Sequence, residues 1–160
     1  MITFKPDKKL RTNFPGIDFY ILSLVYSLLY DSSCISKKRK KFEIELRHAR
    51  GQFSFYYWRL NGWEYNARLN ISSNDQSERQ FHSSLLHEFR HFIQDNVYRI
   101  PFSKKTYDES TNDTYMASPV EIDARAYEKQ LLSKVIRMYE RLNKQKKNVM
   151  PISVYKGNKL

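Results

Sequence analysis

Between residues 77 and 98 the chain has essentially one way to fold. Phe81, Leu85, Leu86, Phe89, Phe92, Ile93 and Val97 recur at steps of three and four, so at 100° per residue they gather on one broad side of a helix. His87 and His91 fall on the other side, with Ser84 and Gln80. The turn formers Ser72 to Gln76 mark where such a helix can be capped. A helix divided in this way must bury one flank while presenting two imidazoles from the other. Residues four apart have Cβ atoms about 5–6 Å apart.

The remaining patterns supply something to pack against. Phe42, Ile44 and Leu46 alternate with Glu43, Glu45 and Arg47, the period-2 signature of a half-buried strand. After a turn at 49–52 come the aromatic run 53–60 and, beyond Asn61-Gly62, a third run in which Trp63, Tyr65, Ala67, Leu69 and Ile71 share a face. Asn-Gly suits a tight type I′ turn, so residues 42–71 read as a three-stranded antiparallel meander, its aromatics packing a core. Residues 1–16 read as an irregular lead-in before a helix from about Ile17 to Tyr30, with Asp31 to Ser33 and the basic run 37–41 as a loop. Residues 99–117 form a second loop, long enough to be a wall or lid. Ser118-Pro119-Val120-Glu121 has the form of a capping box with proline in the first turn, opening a long helix that carries Val120, Ala124, Tyr127, Leu131, Val135, Met138 and Leu142 at helical spacing. The expectation is one α+β domain over 1–147 and a loosely held tail over 148–160.

Composition narrows the class. With 160 residues, 41% hydrophobic, only four Gly and five Pro, the chain has the material for one core and is neither disordered nor low-complexity. A lone cysteine, Cys34, allows no internal disulfide, which suggests a reducing compartment, a cytoplasm. The apolar run 19–30 is too short to span a bilayer, so no membrane association is expected. The formal charge of +11 would draw the protein toward nucleic acid or an acidic protein, although no nucleic-acid motif accompanies it.

Leu85 to Gln94 contains His87-Glu88-Phe89-Arg90-His91, an instance of H-E-x-x-H. Two imidazoles on one helix face can bind one ion, and Zn²⁺ is the metal such donors suit. Glu88, about 100° around the helix from His87, is placed to act as general base on a water. By chance this pattern arises in roughly one chain of this size per couple of hundred. Against chance stand the predicted helix, the exclusion of both histidines from its apolar side, and the alternating strand just before it.

Strand, H-E-x-x-H helix, loop and a following helix with Glu121 resemble the zincin superfamily of metallopeptidases over roughly residues 42–130. The resemblance implies Zn²⁺ as cofactor, Glu88 as catalytic base, a polypeptide substrate, and a binding role for the strand over 63–71 or a neighbouring edge strand. A third protein ligand is also implied. No histidine follows His91, which removes every pattern with a downstream third His and leaves a carboxylate. Glu121 in Glu121-Ile122-Asp123-Ala124 matches the gluzincin pattern, of a compact cytosolic kind similar to peptidases that cut phage or stress regulators. Glu128 and Asp123 are its rivals; Asp95, Asp108, Glu109, Asp113 and Glu140 are further carboxylates. Glu121 also has a plain alternative role, bonding the Ser118 amide as part of the cap.

His48, Tyr107 and Tyr115 are candidates for oxyanion stabilisation, though each fits a structural role equally well. His82 lies near the apolar side of its helix and reads as a partly buried, satisfied histidine. Two functions therefore stand as expectations. One is a zinc metallopeptidase with His87, His91 and Glu121 as ligands; the other is a basic, nucleic-acid-associated binding or assembly protein with little or no catalysis.

Overall fold

In the computed structural model, which describes residues 1–33, 41–49, 55–61, 64–72, 77–98 and 118–149, the chain opens with a strand where an irregular lead-in was expected. Strand β1 (Ile2–Pro6) buries Ile2 and Phe4. Two apolar residues are too short a run for periodicity to register, which is why the sequence concealed it. Asp7 ends the strand and caps helix α1 (Lys8–Asn13): Oδ1 accepts from the Leu10 amide at 2.8 Å and Oδ2 from the His48 amide at 2.7 Å.

Helix α2 (Phe19–Ser33) is longer than expected and takes in Asp31, Ser32 and Ser33. Its two interior serines have a specific task. Ser27 Oγ accepts from the Ile2 amide at 2.8 Å and Ser23 Oγ from the Phe4 amide at 2.9 Å. These amides lie on the outer edge of β1, so α2 occupies hydrogen-bonding positions that an added strand would need.

The sheet departs from the expected meander. Strands β2 (Phe42–Ala49), β3 (Phe55–Asn61) and β4 (Glu64–Ser72) join β1 in the order β1-β2-β4-β3. β1 and β4 both run parallel to β2, with Ile2 opposite Phe42 and Leu46 opposite Leu69; β3 alone is antiparallel, pairing with β4. The chain is therefore mixed α/β with a mixed four-stranded sheet. Alternation assigns faces to a strand but not neighbours, and nothing in residues 42–71 forbids β3 from folding to the outside of β4. The hairpin register sets Asn61 opposite Glu64, so the two linking residues are 62 and 63, one position on from Asn61-Gly62.

Helix α3 (Glu78–Asn96) starts at Ser77, which forms a reciprocal capping box with Gln80, just after the turn formers at which a cap was expected. Its apolar side is buried as expected, packing edge-on against Tyr26 of α2 (Phe89, 4.8 Å between centroids) and Phe42 of β2 (Phe92, 5.1 Å). Helix α4 (Pro119–Val149) runs along the opposite side of α3 and is tied to the start of α2: the Tyr139 hydroxyl accepts from the Asp18 amide at 2.7 Å, and Lys146 Nζ lies 2.5 Å from Asp18 Oδ2. Among the described residues no helix is long and apolar enough to cross a membrane. Cys34, the basic run 37–40, the loop 99–117 and the tail 150–160 lie outside the described residues, as do the aromatic side chains of 53–65.

His82 differs from its expectation in one respect. It is buried against the Tyr139 ring, 5.1 Å between centroids, but among the described residues its Nδ1 has no hydrogen-bond partner. Burial pushes its pKa down from 6.5 to about 4. Between those values the unfolded chain binds the extra proton and the folded chain does not, so stability present near pH 7 is lost as pH falls through that window, by about 3 kcal/mol in all. The stability of His82→Leu relative to wild type should therefore improve by about that amount between pH 7 and pH 4 in urea titrations. A difference that stays constant with pH would show that His82 is not held neutral.

Candidate metal centre

One side of α3 is polar for a reason the packing of α4 makes plain. His87, Arg90, His91 and Gln94 fall within about 100° of one another around the helix, and each meets a group from the first three turns of α4. Pro119 starts that helix, and the Ser118 hydroxyl caps it by accepting from the Glu121 amide at 3.4 Å. The Glu121 backbone thus belongs to the cap while its side chain turns inward. One carboxylate oxygen lies 3.2 Å from His87 Nε2 and the other 3.0 Å from His91 Nε2. The cap uses the Glu121 amide, and the carboxylate, for which a bond to the Ser118 amide was the plain alternative, meets the two imidazoles instead.

Donor atoms of His87, His91 and Glu121 all lie within 4.8 Å of one another, and Glu121 and His91 are 1% and 2% exposed. With metal–ligand bonds of about 2.0–2.1 Å, neighbouring donors of a tetrahedral ion stand about 3.3 Å apart. The two carboxylate–imidazole separations are close to that edge length. Two imidazoles, each neutral once it ligates, and one carboxylate form a donor set that borderline divalent metals accept.

The hydrogen bonds around the cluster decide which nitrogens face inward. Gln94 Nε2 donates to the Val120 carbonyl at 2.9 Å and to Asp123 Oδ2 at 2.7 Å, which leaves Gln94 Oε1 as an acceptor. His91 Nδ1, 2.8 Å away, must then be the donor. In the neutral imidazole, Nε2 consequently carries its lone pair toward Glu121 Oε1. Two electron-rich atoms at 3.0 Å attract only with something positive between them, a proton or a metal ion.

His87 is oriented similarly from its other nitrogen. Its Nδ1 lies 3.5 Å from Glu128 Oε2, and the Ser83 hydroxyl donates to the second oxygen of Glu128. Burial alone pushes His87 down, but its bonds to Glu121 and Glu128 and the nearby charge of Glu88 outweigh burial and carry it up to about 9. The pocket's field thus favours positive charge. Glu88 itself is buried, next to His87 but outside the trio of converging donors.

The rival acids are accounted for. Asp123 is turned to Arg90, Nε to Oδ2 at 2.7 Å and the terminal nitrogen to Oδ1 at 3.0 Å, and its carboxyl is held below the usual range first by that arginine. Glu128 meets His87 on the side away from Glu121. Neither Asp95 nor Glu140 joins the converging group, and Asp108, Glu109, Asp113, Tyr107 and Tyr115 lie outside the described residues. His48 sits at the end of β2 with Lys9 Nζ 2.8 Å from its Nε2, and is not part of the cluster.

Arg90 and Gln94 were not singled out from the sequence, although a signal existed: both share the angular sector of the histidines. Arg90 is also stacked between Tyr127 and Tyr98, at 4.7 and 5.1 Å from the ring centroids, a geometry a planar guanidinium permits and an ammonium does not. Arg90→Lys should therefore lower stability by about 1–3 kcal/mol despite conserving charge. Chemical denaturation checks this, and a loss below a few tenths would show the seam to be held by other contacts.

No protein-family model matches the sequence, and no match to it was found among curated proteins or solved structures, so the chemistry of the cluster is read from its own donors and their surroundings.

Proposed function

We propose that the protein is a zinc-dependent metallopeptidase on a zincin-like scaffold, with His87, His91 and Glu121 as the metal ligands. The observation that carries this reading is the oriented pair of ε nitrogens facing a buried carboxylate, each imidazole held from behind by a side chain of its own. Zinc bound there would supply a Lewis acid that acidifies a water and polarises a substrate carbonyl.

The chain's own groups do the remaining work. Glu88 takes the proton of the attacking water and returns it to the departing amine nitrogen, which balances the hydrolysis without another acid. Its burial keeps bulk water from competing for that proton. Gln94 fixes the His91 tautomer, and Glu128 holds the His87 ring. An extended polypeptide would add to β3: among the described residues β4 is flanked by β2 and β3, so its backbone is already paired, whereas β3 is the terminal strand on that side. Of the two options expected, the 63–71 strand or a neighbouring edge strand, this reading takes the edge strand.

Freshly purified protein, never exposed to chelator, should contain about one zinc per chain. His87→Ala, His91→Ala and Glu121→Gln should each abolish that stoichiometry, whereas Glu88→Gln should retain zinc and lose cleavage of an unstructured polypeptide such as casein. Wild type that holds no zinc, and whose melting temperature does not respond to added zinc, would end the proposal. Gln94→Leu should weaken zinc binding about 10–100-fold in competition with a chromogenic chelator while leaving the fold intact by circular dichroism. Unchanged affinity in that variant would remove Gln94 from its positioning role.

A further inference from the structure

The second half of α4 carries a feature the proposed site does not use. Lys134, Arg137, Arg141 and Lys144 are all exposed and follow at steps of three, four and three residues. At 100° per residue they fall within about 80° of one another, on the side of the helix opposite Leu131, Val135, Met138, Tyr139 and Leu142, which face the core. Gln130 and Asn148 extend the same line, and no acidic residue lies in it. Among the described residues none of the four cations is paired with a carboxylate. Lys146, which is paired with Asp18, points to the other side.

Like charges at i,i+3 and i,i+4 weaken a helix, and this row contains three such pairs in succession, with Glu140, three residues after Arg137 and four before Lys144, as the one acid beside four cations. A helix face selected only for solubility interleaves both signs. From Lys134 to Lys144 the row is straight and roughly 15 Å long at 1.5 Å per residue, a cation about every 5 Å. It contains none of the large exposed apolar side chains, Met1, Tyr20, Leu28, Tyr98 and Ile122. A lipid surface would be met with apolar groups to insert, and a protein partner with an apolar centre; neither is present here. A linear, regularly spaced polyanion is what the row complements.

We infer that this face of α4 binds the phosphate backbone of a nucleic acid, independently of the His87, His91 and Glu121 cluster. The row begins roughly 20 Å along the helix from Glu121, so a bound strand leaves that cluster open. Contacts are to phosphates, so the binding does not depend on base sequence.

The experiment is fluorescence anisotropy with a labelled 20-base-pair DNA duplex and a 20-nucleotide RNA, at 50 and 200 mM salt. Wild type should bind at least one of them at 50 mM. Its affinity should fall with a log–log salt slope of about 3 to 4 in magnitude if all four cations meet phosphates on duplex DNA. Replacing Lys134, Arg137, Arg141 and Lys144 together by Gln should cut affinity at least tenfold and flatten the slope. Removing the same charge elsewhere, with Lys8, Arg11, Lys41 and Arg79 changed to Gln, should have a much smaller effect. The row variant should keep the wild-type circular dichroism spectrum and melt well above the assay temperature, so loss of binding cannot be put down to unfolding. Equal losses in the two variants would reduce the effect to net charge and overturn the proposal, as would absence of binding at 50 mM. Tighter binding to polyglutamate or to vesicles containing phosphatidylserine would also overturn it by assigning the row to another partner. None of these readouts depends on zinc or hydrolysis.

Discussion

A carboxylate buried to 1% exposure is among the costliest groups a small fold can contain, several kcal/mol before any partner is counted. Glu121 is tolerated because its two oxygens lie against two imidazoles, and that requirement fixes much else. The first turn of α4 cannot slide along α3 without separating them. Arg90 with Asp123, and Gln94 with the Val120 carbonyl, lock the same turn from either side. Because α4 is one unbroken helix of 31 residues, setting its start also directs its far half, where Tyr139 and Lys146 meet Asp18 at the beginning of α2.

The site thus lies in a seam between two helices, and the sheet supports it at one remove. α3 has its apolar flank on α2 and the sheet and its polar flank on α4, so the two functions of the helix are separated by half a turn. Such a seam is stable only when it is saturated with partners, since a half-satisfied buried polar network is worse than an apolar one. Ser83, His87, Arg90, His91 and Gln94 from α3 all find groups on α4. The proposed metal ion would complete that logic, because it would turn facing acceptors into ligands.

Legibility in the sequence followed the length scale of each interaction. α3 and its two flanks were readable because 3.6-residue periodicity is local and long enough to be unambiguous. Glu121 was legible as a candidate only through its match to the gluzincin pattern, with capping as the competing role, and its inward turn depends on which side of α4 faces α3. The sheet order was not readable: period-2 alternation in β2 and β4 reports faces, whereas the pairing also involves β1. That strand in turn is too short to announce itself and is stabilised by Ser23 and Ser27, polar residues in what reads as a plain apolar helix. Gln94 was hidden for a different reason: an amide signals nothing until its two donors have been assigned, and only then does its oxygen dictate the tautomer of His91.

The charge along α4 shifts along its length: Glu121, Asp123 and Glu128 outnumber Arg125 and Lys129 in its first three turns, and beyond them Glu140 is the one acid among six cations. The helix dipole favours that polarity, but its influence fades within the first and last turns. It can account for Glu121 at one end and for Lys146 and Lys147 at the other. It cannot account for Lys134, Arg137 and Arg141, which stand in the middle, where a cation gains nothing from either terminus. Nor does the fold need them, since the core contacts of this stretch are made by Leu131, Val135, Met138, Tyr139 and Leu142 on the opposite side. A row that neither the dipole nor the packing explains, and that Glu140 offsets only in part, is the observation on which the proposed phosphate contacts rest.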